Sequence, residues 1–348
     1  MSSKGVLIDC SRFRAGGQAL RTTVSLSAAT GIPVRLANIR VKAKIPGIQS
    51  SHLAAIQAVG IACSGKAAGA AVGSTEMYFE PGPLKAGDVR LSVPNSGAVT
   101  PVLLAVALPL MMADGPSRAG FLGSTHLPGK PTSDSILTNW VPAIRGLGPP
   151  VTVKVEKTGF PPAGGGAILA LIPGGARFKP LDLKVRDNLR SIRGRVYVSK
   201  LDAEFTELVA REARRGLRRA GVAVRVDIVE RRSKSPGCCL HVEALFYNET
   251  RVGFSSLGGG KRTAERIARD AVNGLFEWLD SGAGVPGREA DQLLLPLSFA
   301  TEPSCFTVSR ITHEITDCAK VIPRFLPTKI EIEGQEGHPG EVRIRPSP

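Results

Sequence analysis

His313 sits among β-branched residues, Val308, Ile311, Thr312, Ile315 and Thr316, a composition that favours a strand running into a helix. A histidine at such a strand end presents one ring nitrogen to a cleft while a hydrogen bond holds the other. Neutral imidazole attacks phosphorus without prior deprotonation, so the placement suits a nucleophile. It suits a structural histidine as well. A second set of candidates lies near the N-terminus, where Gly16-Gly17 precede a helix expected over Gln18 to Thr30, stopped by Gly31. Arg21 is expected in that helix's first turn, where exposed backbone N–H groups favour an anion. A strand from Val34 to Val41 ends in Arg40, Lys42 and Lys44, and His52 follows in the first turn of a helix capped by Ser50 or Ser51. Arg21, Arg40, Lys42 and His52 are therefore candidates to converge on one phosphate-sized site, against the alternative of a solvated basic loop.

The elements that must position them alternate between strand and helix. Met77 to Glu80 and Val89 to Val93 read as short strands of a hairpin-like unit, and residues 98–113 as a buried apolar helix interrupted by Pro101 and Pro109. That run falls short of the ~20 residues a membrane span needs. A strand from Ala119 to Ser124 leads through the loop Thr125 to Pro131, carrying His126, into a helix capped by Thr132, Ser133 or Asp134. A loop histidine without partners is more often incidental, and His126 is read so. The glycines Gly164 to Gly166 open onto a strand, Ala167 to Ile172, allowing close chain approach or positive φ. The recurring pattern suggests internal repeats of one α/β unit. From Leu183 to about Gly282 the texture changes. Two amphipathic helices, Asp202 to Ala220 and Thr263 to Leu279, flank strands Ala223 to Val229 and Leu240 to Phe246. Gly258 to Thr263 lacks the spacing of a phosphate loop and reads as a loop and helix start. After Pro339 the Pro- and charge-rich tail is expected to fray.

Composition narrows the partners. The 348 residues carry 45 Lys+Arg against 30 Asp+Glu, a formal +15, with aromatics at 5%. That balance favours phosphate-backbone contact over base stacking. Nearly half of it falls in residues 184–280, with twenty Lys+Arg and thirteen Asp+Glu. Six cysteines have no C-x-x-C and no metal spacing. Buried thiols in a reducing cytosol, and so a cytoplasmic soluble protein without a signal peptide or membrane span, are expected.

Several stretches, in order over about residues 5 to 332, resemble the RNA 3'-terminal phosphate cyclases. They are Gly16-Gly17-Gln18-Ala19-Leu20-Arg21-Thr22, Asn38-Ile39-Arg40, His52-Leu53, Ala113-Asp114-Gly115-Pro116-Ser117, Gly159 to Gly166, Ala290-Asp291-Gln292-Leu293, Thr312-His313 and Arg324-Phe325-Leu326-Pro327. The resemblance implies an α/β (α+β) fold with a large domain of repeated βαβ-type units in the cyclase and enolpyruvyl-transferase style, residues 1–182 and 283–340, and a smaller inserted α/β domain, 183–282. It implies ATP and a divalent metal, Mg or Mn, with His313 becoming nucleotidylated. Pro131, Asp291 and Gln292 would contact nucleotide. Gln18, Arg21, Arg40, Lys42 and His52 would form the side that takes RNA with a 3'-phosphate end.

The chain departs from that pattern at several places. Arg14 stands where the cyclases usually carry a glutamate, Ala43 where they carry a second arginine, Ser51 and Leu104 where they carry glutamines, and Arg288 where they carry a tyrosine. Thr158 replaces the usual Arg or His before Gly159. Two function classes stay open: an ATP-dependent cyclase, and a cyclase-like binding protein of ribosome biogenesis without the chemistry. An enolpyruvyl transferase is a remoter reading, because such an enzyme needs no histidine nucleophile.

Overall fold

A computed structural model describes residues 5–14, 16–259 and 262–346. Three parts of the chain repeat one order: strand, helix, strand, helix, strand, strand. The first comprises β1 (Val6–Asp9), α1 (Gly16–Thr30), β2 (Val34–Ala37), α2 (Ser50–Ala62), β3 (Lys66–Ala68) and β4 (Met77–Glu80). The second comprises β5 (Asp88–Ser92), α3 (Thr100–Met112) and β6 (Ser117–Gly123). It continues through α4 (Ser133–Ser135), a π turn Ile136–Trp140, α5 (Val141–Gly146), β7 (Thr152–Lys157) and β8 (Gly166–Ile172). The third opens with β9 (Asp182–Leu183) and is at once interrupted. The interruption holds β10 (Leu189–Ser199), α6 (Ala203–Leu217), β11 (Ala223–Glu230), β12 (Gly237–Phe246), β13 (Arg251–Leu257) and α7 (Ala264–Ser281). The third repeat then resumes with α8 (Gly287–Leu297), β14 (Ser304–Val308), α9 (His313–Val321), β15 (Thr328–Gly334) and β16 (Gly340–Pro346).

The repetition extends to pairing. The three sheets run β1-β2-β4-β3, β5-β6-β8-β7 and β9-β14-β16-β15. In each the first pair is parallel and the other two antiparallel. The inserted sheet has a different order, β11-β10-β12-β13. Helices of the three repeats pack together, α1 on α3 and α9, and α3 on α2 and α8. Helix α3 is apolar on every side, so it belongs in the middle. Its Leu103 and Leu110 are fully buried, each contributing about 2 kcal/mol. One core draws on all three repeats from Ile8 to Ile344, and the insert has its own around Val196, Leu240 and Leu275. Phe160, Tyr197, Cys239 and Leu257 join the two.

Three expectations need correction. The Met77 and Val89 strands do not form one unit: β4 closes the first sheet and β5 opens the second. The strand from Val34 stops at Ala37 because Asn38 and Arg40 take left-handed φ of 55° and 53°. In the insert, β10 lies between the Ala223 and Leu240 strands. The tail does not fray over its described residues. Gly340–Pro346 is β16, between β14 and β15, with Val342 and Ile344 fully buried and Arg343 3.0 Å from Glu333. Apolar-polar alternation outweighed the Pro and charge content there. Gly260 and Lys261 lie outside the described residues, and Thr263 caps α7 by accepting from the Arg266 N–H at 3.3 Å.

Candidate active site

The N-terminal end of α1 packs against His52. Helix α1 starts at Gly16, two residues earlier than the pattern suggested, so Arg21 falls in the second turn. A Cβ added at Gly17 would stand 2.6 Å from His52 Nε2, so only glycine lets the imidazole approach so closely. Gln49, not Ser50 or Ser51, is the N-cap of α2, and its N–H donates to His52 Nδ1 at 3.2 Å. That bond makes Nδ1 the acceptor and leaves the ring proton on Nε2. His52 is 4% exposed. Burial, then the charges of Arg21, Arg40 and Lys130, push its pKa down to about 3. The ring is neutral at any ordinary pH.

Those three cations are the electrostatic centre of the site. Burial lowers Arg21 to about 10, and Lys130 is lowered by burial and then by Arg21 and Arg40. Arg40 is lowered by burial, and its Nη1 donates to the Gly47 carbonyl at 3.0 Å. Among the described residues, none of the three is within ion-pair distance of a carboxylate. Lys130 had no helical or motif signal to mark it, because it sits in a loop. Adjacency to Pro131 was the one available hint. Pro131 itself is tied down by its carbonyl, which accepts from Thr100 Oγ1 at 2.6 Å.

The opposite wall is acidic. Gln18 bridges two repeats, accepting from the Arg21 guanidinium and donating through Nε2 to Asp291 Oδ2 at 2.9 Å. Asp291, 5% exposed, is pushed up to about 8 by burial first, then by Glu314 and Glu289. A cavity between α1, α3 and α8 is lined by Gln18, Arg21, Leu104, Trp140, Asp291 and Gln292. His313 is the first residue of α9, after the N-cap Thr312, whose hydroxyl accepts from the Ile315 N–H at 3.3 Å. Its ring is 43% exposed, and Nε2 lies 3.2 Å from Glu314 Oε1. Glu314 in turn acts on Arg21, Lys130 and Asp291. The histidine therefore borders the group formed by Gln18, Arg21, Arg40, His52, Lys130, Asp291 and Gln292. Lys42 does not join it: exposed, it donates to the Ser11 carbonyl at 3.0 Å. Arg14 pairs with Glu336 at 2.6 Å, and Glu336 forms a β-bridge with Ile311, two residues before His313.

A second buried polar group lies where the insert meets the second repeat. His126, read as incidental, is fully buried, with Nε2 2.7 Å from Asp134 Oδ2 and Nδ1 2.8 Å from Thr125 Oγ1. Arg231 of the insert donates to both Asp134 oxygens, at 2.8 and 3.3 Å, and lies 3.3 Å over the Tyr197 ring. Burial alone would raise the Asp134 carboxyl, but the His126 hydrogen bond and the neighbouring charges hold it well below the usual range. His126, Asp134 and Cys239 have metal-ligand spacing. The Arg231 guanidinium already occupies the carboxylate, so these residues do not fit a metal ion.

Three repeats and an insert, with Arg21, Arg40 and Lys130 gathered at the repeat junction, define an α/β architecture. The family model for RNA 3'-terminal phosphate cyclase matches residues 13–332. The chain is 35% identical to an RNA 3'-terminal phosphate cyclase of Methylococcus capsulatus, covering 98% of this chain and 96% of that one. It is 34% identical to the protein of that name from Trichormus variabilis, over 94% and 96%, and from Methanopyrus kandleri, over 97% and 98%. The chain belongs to the RNA 3'-terminal phosphate cyclase family. No helix among the described residues is long and apolar enough to cross a membrane.

Proposed function

We propose that the protein converts an RNA 3'-terminal phosphate to a 2',3'-cyclic phosphate, consuming ATP through a nucleotidyl group on His313. The observation that carries this reading is the trio Arg21, Arg40 and Lys130 around a neutral His52, without a carboxylate at ion-pair distance among the described residues. Uncompensated charges in a half-buried site are costly unless an anion completes them. A terminal phosphate dianion does so, and His52 Nε2–H adds a neutral donor.

The steps are those that the resemblance to the RNA 3'-terminal phosphate cyclases implies, set on this chain's residues. A His313 ring nitrogen attacks the α-phosphorus of ATP; a P–N bond forms and pyrophosphate leaves. An oxygen of the RNA 3'-phosphate, held by Arg21, Arg40 and Lys130, attacks that phosphorus and the P–N bond breaks, giving an RNA–nucleotide anhydride. The neighbouring 2'-hydroxyl attacks the 3'-phosphorus, gives up its proton and expels AMP. Each step moves negative charge on phosphorus toward fixed cations. Asp291, raised by burial first and by Glu314 second, and Glu314 are the carboxyls that would hold a divalent ion on this side of the site. Mg or Mn bound there would neutralise triphosphate charge.

A second reading, binding without chemistry, is favoured by Arg14 being tied to Glu336 and by apolar Leu104 in the cavity wall. Labelling separates the two. ATP labelled at the α-phosphate should leave an acid-labile, alkali-stable adduct that disappears in His313→Asn. No adduct from the wild-type protein across nucleotides and divalent metals would favour binding alone. An adduct surviving the substitution would place the nucleophile elsewhere.

A further inference from the structure

We infer that the RNA strand leading to the 3' end runs along the junction of the second repeat and the insert, where Lys234 and Lys200 take upstream phosphates. The inference rests on the proposed reading of the His52 site and extends it away from the reacting end. The path starts at the first turn of α2, where Ser50 Oγ lies 3.4 Å from Asn95 Nδ2. Asn95 and Ser96 are both left-handed, with φ of 54° and 53°, a strained conformation for two consecutive non-glycine residues. Ser124 Oγ holds the turn by donating to the Ser96 carbonyl at 2.6 Å.

Gly164 and Gly165 come next, with φ of 60° and 70°. A Cβ on Gly164 would stand 3.0 Å from Ser96 Cβ, and one on Gly165 2.8 Å from Lys234 Cδ. The glycine loop is thus bracketed by the Ser96 turn on one side and the Lys234 side chain on the other. Lys234 is fixed by its neighbours. Ser233 Oγ accepts from the Phe160 N–H at 3.2 Å, and Ser235 Oγ accepts from the Ala163 N–H at 2.9 Å. The same loop is anchored at Arg231 by Asp134 and Tyr197. Lys200 Nζ donates to the Lys234 carbonyl at 2.9 Å.

Both lysines are exposed, and neither has a carboxylate at ion-pair distance among the described residues. A clamped backbone carrying two exposed ammonium groups that have no carboxylate at ion-pair distance among the described residues, at the far end of a track from a phosphate-sized site, matches a polyanion. The scarcity of aromatics assigns recognition to backbone phosphates rather than base stacking.

A length series tests the path: 3'-phosphorylated oligonucleotides of two, four, six and eight nucleotides, titrated at several salt concentrations. Wild-type affinity should rise with length. The double variant Lys200→Gln/Lys234→Gln should lose roughly tenfold for the octamer and about 1.4 from its logarithmic salt slope, about 0.7 per phosphate contact. Its dinucleotide affinity should stay unchanged. Affinity independent of length in the wild type, or equal losses for dinucleotide and octamer in the variant, would overturn the inference. ATP labelling of His313 needs no RNA, so its failure would count against the proposed chemistry and leave the length series to judge the path.

Discussion

Two buried histidines, His52 and His126, sit in polar surroundings of opposite kinds. At His126 the charges close on one another: imidazole and guanidinium both bond the Asp134 carboxylate, and Arg231 stacks on Tyr197. At His52 they do not close. Three cations bear on a neutral ring, Asp291 is pushed toward its protonated form, and Glu314 acts on Arg21 and Lys130 without reaching ion-pair distance of either. A closed network of this kind fixes how two bodies dock, whereas an open one stores an attraction for something absent. Charge pairing therefore separates a structural polar cluster from a working one better than burial does. Both histidines are nearly inaccessible.

The largest effect should come from breaking the closed network. Asp134→Ala leaves Arg231 and His126 without their acceptor and should cost about 3–5 kcal/mol, measured by urea unfolding. A loss below about 1 kcal/mol would mean the network does not hold the insert in place. Breaking the open network should do the reverse to the two readouts. Arg21→Ala removes a cation from the transition state and should slow cyclisation by about 100-fold or more, while stability stays within about 1 kcal/mol. A large stability loss would make Arg21 structural.

The pH dependence sharpens the contrast by smaller steps. His52 binds a proton near 6.5 when unfolded but only near 3 when folded. The unfolded state therefore holds more protons between those values, and stability should fall as pH drops through that window. The slope is up to about 1.4 kcal/mol per pH unit. His52→Gln should flatten it in thermal melts across pH 4 to 6.5, and an unchanged slope would show that His52 is not buried neutral.

Much of this arrangement was legible in the sequence because it rests on local signals. Gly16-Gly17 before an apolar-periodic run marked α1, and β-branched residues before His313 marked a strand leading into α9. The unread parts depend on long-range closure. Whether β4 pairs with β5 or with β2 is decided by sheet order, which a turn between two short strands does not encode. Lys130 is a loop lysine until folding brings Arg21 and Arg40 beside it. His126 looked partnerless because Arg231, the residue completing its network, lies 97 positions beyond Asp134. The threefold repetition was faint in sequence, since only strand order and pairing recur, not the residues.

The central claim is that the open cation group takes a terminal phosphate. The most direct measurement is calorimetric titration of two oligonucleotides of one sequence, ending in a 3'-phosphate or a 3'-hydroxyl, into wild type and Arg21→Ala. The account predicts that wild type prefers the phosphate end by roughly tenfold or more, the worth of a charge-assisted contact, and that Arg21→Ala loses most of that preference. Equal wild-type affinity for both ends would contradict it.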